Sequence, residues 1–196
     1  MLNITNGSGK MAKIQSINTS TLENDFCKKM INSDAVCQKC YAKTYEKMRP
    51  TLHNALLKNH SALSDNILPL AELPYINAAF LRINSFGELI NEKHFKNILN
   101  LATKNSHCQI VLWTKRKNIV AKVLESREKP ENLTLIYSSP KLNKTEKLPA
   151  FFNKVFTVFD KTHKNAEFIN CGGKSCNDCR ICYTKNEVVF VNELLK

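Results

Sequence analysis

Apolar and polar residues alternate in short bursts along this chain, and the bursts are separated by stretches with helical spacing. Residues 14–19, Ile-Gln-Ser-Ile-Asn-Thr, alternate with a period of two and predict a strand. Residues 78–83, 109–113, 133–137 and 155–159 are compact runs rich in Val, Ile, Leu and aromatic residues and predict four more, with residues 167–170 as a last short one. Between them Phe95, Ile98, Leu99 and Ala102 recur at i, i+3, i+4 and i+7, and Ile119, Val120, Val123 and Leu124 mark a second amphipathic face. Residues 41–63 carry Leu52, Leu56 and Leu57 at helical spacing, with Pro50 kinking or dividing that helix, and a connector bounded by Pro69 and Pro74 follows. The polar, Gly- and Ser-containing start predicts a flexible N-terminal arm over residues 1–12 and a single domain over 13–196.

Strands alternating with helices of this length imply right-handed βαβ crossovers, so the expected class is α/β with a parallel sheet, open or partly closed as a barrel. In such sheets ligands gather at the carboxyl ends of the strands. The residues after each predicted strand are therefore candidates, among them Asn84, Ser85, Gly87, Glu88, Thr114, Lys115, Ser138 and Ser139. Arg82 and Asn84 share one face of their strand, and a guanidinium there is placed to bind a carboxylate or phosphate, or else to pair with Glu88.

Composition narrows the class. At 196 residues with 43% hydrophobic and 23% charged, the chain is globular, and no run is apolar enough to span a bilayer or to serve as an export signal. A soluble, cytoplasmic protein without a membrane partner is the expectation. Its 29 Lys+Arg against 17 Asp+Glu give a net charge of +12, which favours salt-dependent association with nucleic acid through a basic surface. Tyr41, Trp113 and Tyr183 are aromatics suited to base stacking, although none lies in an RNA-binding motif. The five histidines form no motif and are expected mainly at the surface. No Walker-type loop, nucleophile elbow or His-Glu-x-x-His helix is present.

The chemistry lies in the cysteines, since seven of the eight fall into two groups. In a reducing compartment such clustering favours metal over disulfides. Cys171, Cys176, Cys179 and Cys182 leave gaps of four, two and two residues, and the flexible Gly172-Gly173 lets the chain turn back on itself. The two-residue gaps match ferredoxin-type loops and suit a [4Fe–4S] cluster better than zinc, which stays as the alternative. Cys27, Cys37 and Cys40 are three thiols with no nearby histidine to complete a tetrahedral zinc site. A [4Fe–4S] cluster accommodates three, leaving one iron open; completion by Cys108 or a carboxylate, or service to one larger site, are the other readings.

Four motifs in order, Cys37-Gln-Lys-Cys40-Tyr-Ala, Phe80-Leu-Arg82-Ile-Asn84-Ser85-Phe-Gly87-Glu88, Leu112-Trp-Thr-Lys115 and Cys176-x2-Cys179-x2-Cys182, resemble those of the phage-associated gene-product-88-like proteins. Those proteins are in turn similar to radical S-adenosylmethionine (SAM) enzymes. The resemblance implies a partial (βα) barrel or open parallel sheet of radical-SAM-like type, with cysteine-rich loops at the carboxyl ends of the strands. It implies a [4Fe–4S] cluster on Cys27, Cys37 and Cys40 and an auxiliary one on Cys171, Cys176, Cys179 and Cys182. Gly87-Glu88 is similar to the Gly-Gly-Glu stretch that receives the methionine amino group, with Phe86 in place of the first glycine. SAM is then the implied second cofactor, with Arg82, Asn84, Ser85, Gly87 and Glu88 around it. The cysteine gaps differ from the usual three and two, and Tyr41 follows the last cysteine instead of an aromatic preceding it.

The resulting expectation is an iron–sulfur protein acting by radical-SAM-like redox chemistry on an unknown substrate, with an electron donor as partner, in a phage-infected host cell. Two alternatives accompany it: a basic nucleic-acid-binding module with a structural iron–sulfur or zinc site, and a redox or oxygen sensor acting through a protein partner.

Overall fold

The computed structural model describes residues 2–172 and 174–195. Seven strands form one sheet in the order of the chain: β1 (Ile4–Asn6), β2 (Gln15–Ile17), β3 (Phe80–Ile83), β4 (Gln109–Thr114), β5 (Leu133–Ser138), β6 (Lys154–Phe159) and β7 (Phe190–Leu194). All neighbours run parallel except β1, which pairs antiparallel with β2. The α/β class and the mostly parallel sheet are as the sequence implies; the sheet is not closed into a barrel.

Helices α1 (Asp25–Ile31), α2 (Tyr41–Met48) and α3 (Pro50–Asp65) lie between β2 and β3. Pro50 divides α2 from α3 by occupying the first turn of the latter, where its missing N–H costs nothing. Helices α4 (Glu92–Lys104) and α5 (Lys117–Leu124) make the next two crossovers, and the short α6 (Cys176–Cys179) precedes β7. Alternation along the strands sends Leu81, Ile83, Ile110, Leu112, Leu133 and Leu135 to one face, where they bury against Phe95, Ile98, Leu99, Val120 and Val123 of α4 and α5. The Pro-bounded connector is held to α4 by two buried asparagines. Asn97 accepts from Leu68 N at 2.8 Å, and Asn105 accepts from Ile76 N at 2.8 Å while donating to Pro74 O at 3.1 Å.

Two expectations about the elements need correction. The arm over residues 1–12 contains a strand and a single 3₁₀ turn, Gly9–Met11, and Leu2 packs into the main core. Its polar residues hide this, because an edge strand of three residues needs no apolar run. Residues 167–170 form no strand; Cys171 makes one parallel bridge to Glu193 of β7, a strand whose sequence Phe-Val-Asn-Glu-Leu lacks a clear period. No described helix is long and apolar enough to cross a membrane.

His94 is the clear exception among histidines expected at the surface. It is fully buried on α4, its Nδ1 accepts from Ile90 N at 3.3 Å, and its Nε2 has no partner among the described residues. Burial, with a smaller push from His60, lowers its pKa to about 3. The unfolded chain therefore binds this proton below about pH 6.5 while the folded one does not, so stability falls as pH drops from about 6.5 towards 3. The difference in unfolding free energy between the protein and His94→Gln, from urea titrations, is expected to shrink by about 1.4 kcal/mol per pH unit between pH 6 and 4. A pH-independent difference would contradict burial of a neutral ring.

Candidate functional site

The first cysteine group is built on a loop of buried polar residues. After β2 the chain passes through Asn18, Thr19, Ser20, Thr21 and Asn24, all buried. Such residues stay inside only when hydrogen-bonded. Asn18 Oδ1 accepts from Ser85 N at 2.8 Å and Phe86 N at 3.1 Å, and Thr21 Oγ1 accepts from Gly87 N at 3.2 Å. The buried carboxylate of Glu46 accepts from Ser20 Oγ at 2.5 Å and Thr21 N at 2.7 Å. The loops after β2 and β3 are thus sewn together. Asn24 then caps α1, accepting from Phe26 N at 3.0 Å and Cys27 N at 3.3 Å, while its Nδ2 donates to Glu88 O at 2.9 Å.

Cys27 thereby sits in the first turn of α1, Cys37 in the 3₁₀ turn Val36–Lys39, and Cys40 at the N-cap of α2. Val36 N donates to Pro140 O at 2.8 Å, which brings the loop after β5 to the same edge. All three thiols are partly buried and free. Burial raises the Cys27 pKa, and Glu88, Cys37 and Cys40 raise it further. Cys37 is raised by burial too, against the opposing pull of Lys115. Cys27 and Cys37, kept protonated by desolvation, would need a cationic centre beside them to become thiolates.

The residues after β3 serve this edge. Asn84 has a left-handed backbone with φ 63° and donates through Nδ2 to Trp113 O at 3.4 Å. Ser85 O accepts from the Tyr41 hydroxyl at 2.7 Å. Glu88 spends both carboxylate oxygens on backbone amides, Leu89 N and Lys115 N, each at 2.8 Å. It does not pair with Arg82, so the sequence-based pairing of these two is replaced by a clamp between the ends of β3 and β4.

The second cysteine group does not lie at the carboxyl edge. It covers the sheet face opposite the helices, where Tyr183, Cys176 and Cys182 pack with Ile14, Phe80, Val111, Trp113 and Ile136. Ser175 caps α6 by accepting from Asp178 N at 3.2 Å, and Arg180 ends it in the left-handed region at φ 54°. Cys171, Cys176, Cys179 and Cys182 all line one narrow pocket. Lys10 Nζ reaches 3.1 Å from Cys171 Sγ and 2.6 Å from Glu193 Oε1, so the N-terminal segment delivers a cation to the thiols. Burial and the neighbouring Cys171 push the Cys182 pKa up to about 12, with Arg82 opposing.

Among the described residues, no three His, Cys, Asp or Glu side chains gather closely enough to hold one metal ion. Ligands of a single zinc ion must converge on one point, whereas a four-iron cube is gripped at its corners by thiolates that stay apart. Cys108 completes neither group, because it is buried in the helix-side core.

Sequence reasoning missed Lys10, Met11 and Glu46, whose parts depend on contacts 161, 71 and 26 residues away. Trp113 and Tyr183 are buried against the sheet and unavailable for stacking on bases, whereas Tyr41 is 56% exposed. Arg116 is engaged structurally, donating to Leu89 O at 3.2 Å and lying over the Phe26 ring.

Gly87 has a local reason to be glycine: φ is +78°, and a Cβ would stand 2.5 Å from Thr19 O. Gly87→Ala is expected to lower unfolding free energy by about 2–4 kcal/mol and to loosen the loop bearing Cys27. Chemical denaturation and limited proteolysis within residues 18–30 would show it; unchanged stability would mean the two loops are not in contact.

No curated protein and no solved structure matches this chain. The model of one protein family, described as Gene product 88, matches residues 3–185. With nearly all of its length covered by that match, the chain belongs to the gene product 88 family.

Proposed function

We propose that this protein is an iron–sulfur protein with two cluster sites, one held by Cys27, Cys37 and Cys40 and one by Cys171, Cys176, Cys179 and Cys182. The observation that carries this reading is that the four C-terminal thiols, none in a disulfide, line one pocket beside Lys10. Hydrogen-bond donors and cations beside thiolates are what a negatively charged cluster requires of its surroundings.

The two sites differ in what they offer. The C-terminal group has four thiols and is covered by protein, as suits anchoring or electron transfer. The N-terminal group has three and sits at the edge where the loops after β2, β3, β4 and β5 meet, so a cluster there keeps an iron for a small molecule. A reduced cluster of that kind supplies one electron to SAM, the source of radical chemistry. The protein's own contribution is placement: Asn24 and Glu46 fix the loop, and Lys115 brings a positive charge to the thiols. Glu88 is already clamped to two amides, so its share in holding the methionine end is through its charge rather than a free oxygen.

Protein purified and reconstituted without oxygen is expected to be brown, with about eight iron and eight sulfide per chain. Replacing Cys176, Cys179 and Cys182 by Ala is expected to leave about four of each and to lower the unfolding midpoint, since a closed metal site contributes to stability. Replacing Cys27, Cys37 and Cys40 is expected to halve the iron while sparing the fold, and to abolish release of 5′-deoxyadenosine or methionine from SAM. Colourless protein containing zinc would overturn the cluster reading. Full clusters without SAM cleavage would leave an electron-transfer or sensing protein in its place.

A second reading is supported by α2. Lys39, Lys43 and Lys47 line an open groove with Cys40 and Tyr41, and Tyr45 is 46% exposed beside them. Lysines interleaved with aromatics suit single-stranded nucleic acid. This reading expects binding of an oligonucleotide that weakens steeply with salt and is lost on Lys43→Glu with Lys47→Glu; equal affinity in that variant would sink it.

A further inference from the structure

Arg82 lies between the two cysteine groups without a counter-charge. It projects from β3 on the face opposite the helices, with its guanidinium carbon 4.1 Å over the Trp113 ring. Its Nη1 donates to Met11 Sδ at 3.2 Å, and its buried Nε has no hydrogen-bond partner. No carboxylate among the described residues lies within ion-pair distance, and Nη2 donates to none of them. Two acids are engaged elsewhere, Glu88 on two backbone amides and Glu193 on Lys10.

A thioether and an indole face are weak partners for a half-buried guanidinium whose Nε is shut off from water. Leaving that donor unpaired is unfavourable, and an anion would pair it. The free Nε–Nη2 edge is the one that forms two parallel bonds to a carboxylate or phosphate. Two more buried polar atoms lack partners nearby. The Tyr183 hydroxyl lies within the field of the guanidinium without a well-formed bond to it, and Asn84 Oδ1 is unpartnered just beyond the end of β3, where Asn84 Nδ2 donates to Trp113 O at 3.4 Å. The charge of Arg82 acts on Tyr41, next to Cys40, and on Cys176 and Cys182.

We propose that Arg82 anchors a binding site for a small molecule bearing an oxyanion, carboxylate or phosphate, in the space between the two cysteine groups, with the Tyr183 hydroxyl as a second donor. The site is a property of this chain's own side chains and stands whether or not either cysteine group binds iron.

Trp113 is the sole tryptophan, so its emission reports directly on the guanidinium stacked against it. Titration with sodium phosphate and, separately, sodium acetate, each against chloride at fixed ionic strength, is expected to change Trp113 emission saturably and to raise the melting temperature. Stronger response to phosphate assigns a phosphorylated ligand, and stronger response to acetate assigns a carboxylate. Arg82→Gln is expected to weaken the apparent affinity at least tenfold and Tyr183→Phe several-fold. Arg82→Lys, which keeps the charge but not the fork, is expected to fall between wild type and Arg82→Gln and serves if the glutamine variant does not fold. Without added anion, Arg82→Gln is expected to melt no lower than wild type, since it removes an uncompensated charge.

The proposal is overturned if neither anion acts beyond the chloride control, or if Arg82→Gln and Arg82→Lys respond as wild type does. It is equally overturned if Trp113 emission follows metal content alone, which would make the cysteine centre the counter-charge of Arg82. Iron and sulfide are measured on the same samples, so failure of the cluster reading and failure of this site are told apart.

Discussion

Parallel strands laid down in chain order impose one constraint on everything else: the loops after them leave the sheet at a common edge and must satisfy their backbone groups against one another. The protein meets this with buried amides and carboxylates rather than with apolar filling. Asn18, Glu46 and Glu88 each accept from backbone N–H groups of segments distant in sequence, and Asn24, while capping α1, donates to the distant Glu88 carbonyl. Because these residues bind fixed partners, they set the position of α1 and through it that of Cys27, while the bond from Val36 N to Pro140 O holds the 3₁₀ turn that bears Cys37. The thiols are therefore placed by a polar framework, in which losing one partner strands another in the interior.

The two faces of the sheet have different work. The helix side is a continuous apolar core of Leu, Ile, Val and Phe. The other side is a small cluster in which Tyr183, Trp113 and Met11 accompany Arg82, Cys176 and Cys182. A core of that composition is poor at excluding charge and good at orienting it.

The strands β2 to β6 and the helices α2 to α5 were legible because their periodicity is strong and local, as in the Phe95, Ile98, Leu99, Ala102 stripe. Pro50 could be read as a divider for the same reason. β1 and β7 were not legible, since a three-residue edge strand and the irregular Phe-Val-Asn-Glu-Leu segment draw their pairing from partners rather than from pattern. The cysteine groups could be found by spacing alone, and Arg82 by its place on a strand face. Where the C-terminal group lies could not, because it is set by Tyr183 packing on Phe80 and Trp113, contacts of residues far apart in the chain. The clamp formed by Glu88 was likewise invisible, as its partners are backbone amides that any residue supplies.

The ion pair between Lys10 and Glu193 joins positions 183 residues apart. During synthesis on a ribosome, the lysine emerges 183 residues before the carboxylate it pairs with. Loop closure over that span comes late and at high entropic cost. The pocket around Cys171 thus acquires its cationic rim only when β7 has docked, and a nascent polypeptide lacks the finished cradle until that strand has been made.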